Sequence, residues 1–303
     1  MTVRRRAAFT LIQLLVIIAI LALLLGMLLP AVMKVREAAN RMTSQNNLKQ
    51  IALAAINYEA AFAEFPPGSD QSNLSATVRL LPYVEQSAAY QQVDFTKDVT
   101  DEANANVRRM RFAVFISPRD PQQAVKDELG PTNYQLCAGL QADMKDNDGV
   151  FFQDSKVRFA DITDGTSRTI MLGETLKGDG STKAVDVKRQ HVALGADALK
   201  GLKDDAGAQD FQNNQHIAGD RGASWMDGRF LQATFNGRLP PNDSRPDVTC
   251  AGQGGNSALR SLDHIVNIGL CDGSVRAVVN QIDAATWKGL CTRNGGEALD
   301  IDF

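Results

Sequence analysis

The chain has 303 residues, a formal net charge of −3 at neutral pH and an isoelectric point near 5.7. This length is typical of one large domain or two small ones, and it is enough to bury a core. Because basic residues are not in excess and only three residues are histidines, we expect neither a nucleic-acid-binding surface nor a His-based catalytic or metal site.

An apolar run led by arginines begins the chain. Arg4, Arg5 and Arg6 precede Phe9–Leu29, a stretch of 21 residues without a charge. As a helix it is roughly 30 Å long, the thickness of the hydrocarbon core of a membrane. Helix is the predicted state because a backbone in lipid must satisfy its own hydrogen bonds. The arginines favour a cytoplasmic N-terminus, and the lack of an Ala-x-Ala site after the run favours a retained anchor.

The start of this run resembles a known processing motif. The letters FTLI at residues 9–12 follow a basic leader, and Pro30 lies further along the helix. This pattern is similar to the N-terminal cleavage and methylation motif of type IV prepilins and type II secretion pseudopilins. The resemblance implies cleavage between Ala8 and Phe9 by a prepilin peptidase, with N-methylation of Phe9. It also implies that the helix stays with the mature protein and meets other pilin-like subunits, with Pro30 as the family's helix proline.

Two positions depart from the family pattern. Ala8 stands before the cleavage site where the family usually has Gly, and Gln13 stands where the family has Glu. In the family that carboxylate is thought to pair with the terminal amine of a neighbouring subunit, and a charge at this depth in lipid requires such a partner. Gln13 offers hydrogen bonds without a countercharge. Gln13 therefore leaves two hypotheses: a subunit that assembles with others, and a protein that does not polymerise.

The sequence divides into three parts. Residues 1–8 are a predicted cytoplasmic leader. Residues 9–61 are predicted to form one long helix, of which 9–29 span the membrane, and residues 62–303 an exported globular domain. The helical phase of the apolar residues shifts at residues 43–47, where either a bend or a rotated helix face is expected. Beyond the shift, a second apolar stripe is predicted to pack on the domain.

The globular part combines short apolar segments with turns. Strands are predicted in TNYQLCAGL (132–140), in GVFF (149–152) and over Thr169–Gly173. Residues 104–116 predict a helix that enters a strand, RMRFAVFI (109–116). Residues 178–258 are rich in Gly, Asp and Asn, and they predict loops and edge strands.

The C-terminal part contains the clearest hairpin signal. HIVNIGLCDGSVRAV (264–278) consists of two short apolar segments about Asp272 and Gly273. We interpret this pair as a turn rather than a catalytic element, because Gly supplies a positive φ and Asp tolerates one. Asp283 is a candidate N-cap for a short helix that follows.

Several blocks along the chain resemble those of one large family. The blocks are NNLKQIALAAINYEAAFAEFPPG, RLLPYVEQSAAY, FISPRDP, TNY, DITDGTSRTIMLGE, VNIGLCDGSVR and TWKGLCTRNGGE. Together they are similar to a pilin-like family of unknown function with a C-terminal His-x9-Asp-Gly signature, of which Asp272 and Gly273 match the last two positions. The signature His position is Leu262 here and His264 comes two residues late, so no role is assigned to His264. The resemblance implies an α+β pilin-like fold, with a long membrane-spanning helix packed on a mostly antiparallel sheet.

We expect no enzyme activity, no cofactor and no metal site. The sequence contains no Walker loop, no Rossmann fingerprint and no Ser-His-Asp order. No small-molecule ligand is indicated. The cysteines allow three full pairings if the body is exported, and four unpaired buried thiols are the other interpretation. These cysteines are Cys137, Cys250, Cys271 and Cys291.

These features predict a structural or assembly subunit of a type II secretion or type IV pilus-like system. One helix would hold it in the inner membrane, with a cytoplasmic N-terminus and a body in the periplasm or on the cell surface. The expected partners are the prepilin peptidase, other pilin-like subunits and inner-membrane lipid, with no nucleic acid. The alternative is a single-pass, membrane-tethered extracytoplasmic binding protein that does not polymerise.

Overall fold

The fold begins with one long helix. The computed structural model describes residues 11–122 and 125–297. Helix α1 covers 52 residues, Leu11–Phe62, and contains Pro30. A proline removes one hydrogen bond from a helix, yet helical geometry continues on both sides of it. The predicted start of the helix lies outside the described residues, and its predicted end is one residue short of the observed one.

The chain divides into two compact units within this helix. Met1–Met42 form one unit and Thr43–Phe303 the other. In the first unit the large apolar side chains of α1 are exposed, with values such as 44% at Ile17 and 77% at Leu11. The apolar window of α1 is long enough to cross a membrane, and none of it is buried. By length and composition, α1 is a candidate single-pass membrane anchor.

The second part of α1 is amphipathic and belongs to the globular unit. Leu48, Ile51, Ala52 and Ala55 recur at helical spacing, and all four are buried. On the opposite face, Leu53 is 42% exposed. The predicted second stripe is therefore confirmed as a core contact.

Short helices and 3-10 turns connect the longer elements. Among the described residues the helices after α1 are α2 Ala76–Leu80, α3 Ser87–Tyr90, α4 Ala105–Arg108, α5 Ala208–Gln212 and α6 Ala284–Cys291. The 3-10 turns are Leu81–Val84, Glu102–Asn104, Ala113–Phe115, Phe159–Asp161 and Ala196–Leu199. Asp283 accepts hydrogen bonds from the N–H groups of Ala285 and Thr286, so the predicted N-cap of α6 is confirmed.

The strand predicted within residues 109–116 is wrong. This stretch forms a 3-10 turn at Ala113–Phe115 instead. The ring centroids of Phe112 and Phe115 lie 5.1 and 5.8 Å from that of Trp225. Residues three apart fall on one side of such a turn, whereas a strand would place them on opposite faces. Packing around one buried tryptophan therefore overrides the apolar run.

The strands form two mixed sheets. They are β1 Tyr134–Cys137, β2 Ile170–Glu174, β3 His191–Leu194, β4 Ile217–Ala218, β5 Thr234–Phe235, β6 Asp247–Cys250, β7 Gly255–Asn256, β8 Ile265–Leu270 and β9 Val275–Val279. The first sheet has the order β5-β1-β2-β8-β9 and the second β4-β3-β6-β7. Most pairs are antiparallel, but β1 pairs with β5, and β3 with β6, in parallel. The α+β class is confirmed.

The predicted hairpin is present at the edge of the first sheet. Strands β8 and β9 pair from Ile265 opposite Val279 to Gly269 opposite Val275. The strand predicted at residues 149–152 is absent. That segment makes isolated backbone hydrogen bonds to the end of β1 and accepts one from the N–H of Gly68.

The loop-rich segment 178–258 contains the whole second sheet. Its strands are short, which is why they give little apolar periodicity. His191 of β3 is buried, and its Nε2 lies 3.4 Å from Oδ1 of Asp220. Burial lowers the pKa of His191 to about 4 although the Asp220 carboxylate opposes the shift. The imidazole is therefore neutral at neutral pH.

Apolar clusters cover both faces of the first sheet. One cluster contains the buried face of α1, and the other contains Trp287 and Leu290 of α6 with Val266 and Ile268 of β8. Both tryptophans, Trp225 and Trp287, are buried. All four cysteines are buried as free thiols.

Candidate functional site

Four residues singled out from the sequence belong to the N-terminal part. Ala8 and Phe9 lie outside the described residues. Gln13 and Pro30 both lie on α1 at exposed positions. At 1.5 Å per residue they are roughly 25 Å apart along the helix. The structure therefore places Gln13 and Pro30 near opposite ends of the apolar segment and does not bring them together.

The Asp272-Gly273 pair forms the tight turn between β8 and β9. The Asp272 carboxylate accepts a hydrogen bond of 2.8 Å from the N–H of Ser274. The N–H of Gly273 donates to the carbonyl of Leu270 at 2.9 Å. Gly273 has a φ of 78°, a left-handed conformation that glycine adopts at little cost. The pair is thus a structural turn.

This turn packs against the second part of α1. Lys49 donates from Nζ to the carbonyl oxygen of Gly273 at 2.5 Å. A Cβ added at Gly273 would lie 3.1 Å from Ile56 and 3.7 Å from Leu53. Residues 49, 53 and 56 share one face of a helix. The family-like turn therefore lies directly against α1, and a larger residue would press on the helix.

A short polar stretch of α1 makes the first contacts with the sheet. The Ser44 hydroxyl lies 3.1 Å from the Tyr134 hydroxyl. Asn47 donates from Nδ2 to the Tyr134 hydroxyl at 3.3 Å and to the carbonyl of Ile116 at 3.0 Å. Burial raises the pKa of Tyr134 above its ordinary value, which keeps the hydroxyl protonated. The shift in helical phase at residues 43–47 therefore marks a buried polar contact in a continuous helix.

Glu174 of β2 is the centre of a second set of contacts. Its carboxylate accepts hydrogen bonds from Asn267 at 2.6 Å, from Ser117 at 2.5 Å and from Arg119 at 2.8 Å. Gln45 of α1 donates to Oδ1 of Asn267 at 3.3 Å. A carboxylate only 8% exposed needs such donors, because its charge is costly away from water. A chain of hydrogen bonds thus joins α1 to the middle of the sheet.

The two sets form one unit that we name the helix-docking network. Tyr134 and Glu174 stand opposite each other in the β1–β2 ladder, which brings the sets together. The helix-docking network consists of Ser44, Gln45, Asn47, Ser117, Arg119, Tyr134, Glu174 and Asn267.

A buried ion cluster extends the helix-docking network into the body. The Asp120 carboxylate accepts hydrogen bonds from Arg189 and Asn133, both at 2.8 Å. Lys177 donates from Nζ to Oδ1 of Asn133 at 2.8 Å. Burial acts to raise the pKa of Asp120, but the hydrogen bond from Arg189 and the charge of Lys177 outweigh it and lower the pKa. Asp120 therefore stays ionised inside the protein.

The convergence of the helix-docking residues was not predicted from the sequence, although most of these residues lie in the family-like blocks. The blocks NNLKQ, FISPRDP, TNY, IMLGE and VNIGL each contribute at least one polar residue to the helix-docking network or its ion cluster. Each of these residues is polar within an apolar or turn context, which was the available signal. Their convergence depends on the pairing of strands far apart in sequence, and no local pattern encodes it.

Described residues line at least two clefts on the surface. One, of about 260 Å³, is lined by polar residues that include Asn73, Gln153 and Arg229. The other, of about 560 Å³, is lined by Phe152 and Arg293 among others, and the Arg293 guanidinium lies 5.4 Å from the Phe152 ring centroid. In the described part of the chain, no group of three or more His, Cys, Asp or Glu side chains is arranged for a metal ion.

Comparison with known proteins identifies one family. The family described as a protein of unknown function (DUF1559) matches residues 33–285, more than half of the chain. The match contains the helix-docking network and the Asp272-Gly273 turn, and it starts after the apolar part of α1. No curated protein and no solved structure matches the chain.

Gly273→Ala is expected to lower the free energy of unfolding by about 2–3 kcal/mol, from the left-handed backbone and the contact with Ile56. The matched control is Gly201→Ala, because Gly201 has a φ of 76° with open space around it. The control should lose about 1–2 kcal/mol, the backbone part alone. Unfolding of the full-length protein in detergent measures both. Equal losses of unfolding free energy in the two variants would contradict a role of the turn in the packing of α1.

Glu174→Gln should destabilise the protein by about 2 kcal/mol or more, because it removes a buried charge on which three donors converge. The control is Asp161→Asn, which breaks an exposed ion pair with Arg158 and should cause no measurable loss. The same unfolding measurement compares the two variants. A Glu174→Gln protein as stable as the control would show that the helix-docking network does not hold the fold.

Proposed function

We propose a function for this chain, which belongs to the family of proteins of unknown function DUF1559. It is a pilin-like structural or assembly subunit, processed by a prepilin peptidase and kept in the inner membrane by α1. Its body lies in the periplasm or on the cell surface, and it works within a type II secretion or type IV pilus-like system. It is not an enzyme.

The continuity of α1 carries this proposal. One uninterrupted helix contains the exposed apolar segment and the residues that enter the core of the body. A peptidase that removed the apolar segment would have to cut inside that helix. Cleavage before Phe9, as the FTLI motif implies, leaves the helix whole. The retained helix then serves as anchor and as part of the fold.

Orientation and assembly follow from the ends of the apolar segment. Arg4, Arg5 and Arg6 precede it, which favours a cytoplasmic N-terminus and an exported body. Contacts with other subunits would use the apolar face of α1 within lipid, where packing and hydrogen bonds drive helix association. Because Gln13 brings no countercharge for the terminal amine of a neighbour, we assign this chain the role of a minor subunit.

The absence of catalysis is part of the proposal. The polar residues of the helix-docking network are mostly buried, and their hydrogen bonds go to one another, to the backbone and, from Arg119, to Asp263. They are therefore engaged in holding α1 on the sheet and are not presented to a substrate. This use of buried polar groups is structural.

A second candidate function is ligand binding by a tethered body that does not polymerise. The cleft of about 560 Å³ favours it, because a ring and a guanidinium meet there at an open surface and the volume is typical of small-molecule sites. The absence of a carboxylate at residue 13 is compatible with this alternative as well.

The mature N-terminus tests the proposed function. Mass spectrometry of the protein purified from membranes is expected to find a chain that begins at Phe9 and carries one added methyl group. Ala8→Gly should keep this N-terminus, whereas Ala8→Leu should block processing, because a bulky side chain replaces a small one at the cleavage site. A wild-type chain that begins at Met1 or Thr2, or beyond Leu29, would contradict the proposal.

A further inference from the structure

Two cysteines distant in sequence meet between the first sheet and the C-terminal helix. Cys137 is the last residue of β1 and Cys291 the last residue of α6. The Cys137 Sγ lies 3.7 Å from the backbone carbonyl oxygen of Cys291. Both side chains are fully buried. The Cys137 side chain also hydrogen-bonds the Cys291 thiol, so the two thiols are neighbours.

Cys137 is joined to Cys291 by a hydrogen bond, whereas it acts on Cys271 only through a charge interaction. Cys137 and Cys291 belong to the same apolar cluster beneath α6. Cys271 lies in the cluster that faces α1, and Cys250 lies in that of the second sheet. Gly237 leaves the space that the Cys291 thiol occupies, since a Cβ there would lie 2.3 Å from its Sγ.

We propose that Cys137 and Cys291 form a disulfide bond in the exported protein. This inference rests on the proposed function, which places the body outside the cytoplasm, where disulfides form and persist. The sequence alone left the pairing open among four cysteines, and the structure selects one pair.

The oxidation proceeds by thiol–disulfide exchange with a protein disulfide oxidant of the export compartment. One cysteine thiolate attacks the oxidant disulfide, forms a mixed disulfide and releases one oxidant thiolate. The second cysteine thiolate attacks the mixed disulfide, which forms the Cys137–Cys291 bond and releases the oxidant as a dithiol. Two electrons pass to the oxidant, and the two protons from the cysteines end on its thiols.

The bond forms before the pair is buried. Burial raises the pKa of the Cys291 thiol well above its ordinary value, and the hydrogen bond from Cys137 adds to this shift. A raised pKa leaves little thiolate, which is the reactive species. Exchange is therefore fast while the chain folds and slow afterwards. The bond links positions 154 residues apart, a long loop of the kind whose closure most restricts the unfolded chain.

A tryptic digest tests the bond directly in the wild-type protein. Full-length protein is extracted from membranes into denaturant with an alkylating reagent and no reductant, then digested and analysed by mass spectrometry. Each cysteine falls in its own tryptic peptide. The peptides are 127–145 for Cys137, 239–260 for Cys250, 261–276 for Cys271 and 289–293 for Cys291.

The expected result is a linked pair of peptides 127–145 and 289–293 that disappears on reduction, with Cys250 and Cys271 alkylated. A Cys137→Ala variant should abolish the linked species and leave Cys291 alkylated. Alkylation of both Cys137 and Cys291 in the wild type, or a link from Cys137 to Cys271, would overturn the inference. The N-terminal peptide in the same digest reports separately whether the chain begins at Phe9, so failure of the disulfide and failure of the proposed function are distinguishable.

Discussion

A carboxylate buried in a protein must be surrounded by donors, and in this fold the donors to Glu174 come from separate parts of the chain. Arg119 and Ser117 approach from the loop after the Ala113–Phe115 turn, and Asn267 from β8. Asn267 in turn accepts from Gln45 of α1. Because an unpaired charge is far more costly than a lost surface contact, this requirement fixes the loop, the sheet and the helix in one arrangement.

The two parts of helix α1 differ in the side chains that they expose. Its first part exposes apolar side chains and suits lipid, whereas its second part buries one face in the body and carries the polar residues Ser44, Gln45 and Asn47. These residues begin where the globular unit begins, at Thr43. The hydrogen-bonded contacts begin at Ser44, roughly four turns of helix after Pro30, where the apolar segment ends. The first part of α1 is thus a candidate membrane anchor, and its second part is a core element of the body.

Features encoded in neighbouring residues could be predicted from the sequence, and features that depend on distant pairing could not. The Asp272-Gly273 turn, the strand at Ile170–Glu174 and the Asp283 cap follow from local turn chemistry and apolar patterns. The strand prediction for residues 109–116 was wrong because Trp225, far along the chain, determines the packing of this stretch. The helix-docking network escaped prediction for the same reason: no local pattern encodes the partners of Tyr134 and Glu174.

The central claim is that α1 remains in the membrane while the body folds outside the cytoplasm. A membrane-impermeant maleimide applied to intact spheroplasts of a Val185→Cys variant tests it most directly, because residue 185 is 79% exposed and the native cysteines are buried. We expect the variant to be labelled before lysis and to stay in carbonate-washed membranes, while the wild type is not labelled. Labelling of the variant only after lysis, or its release from the membranes, would contradict this claim.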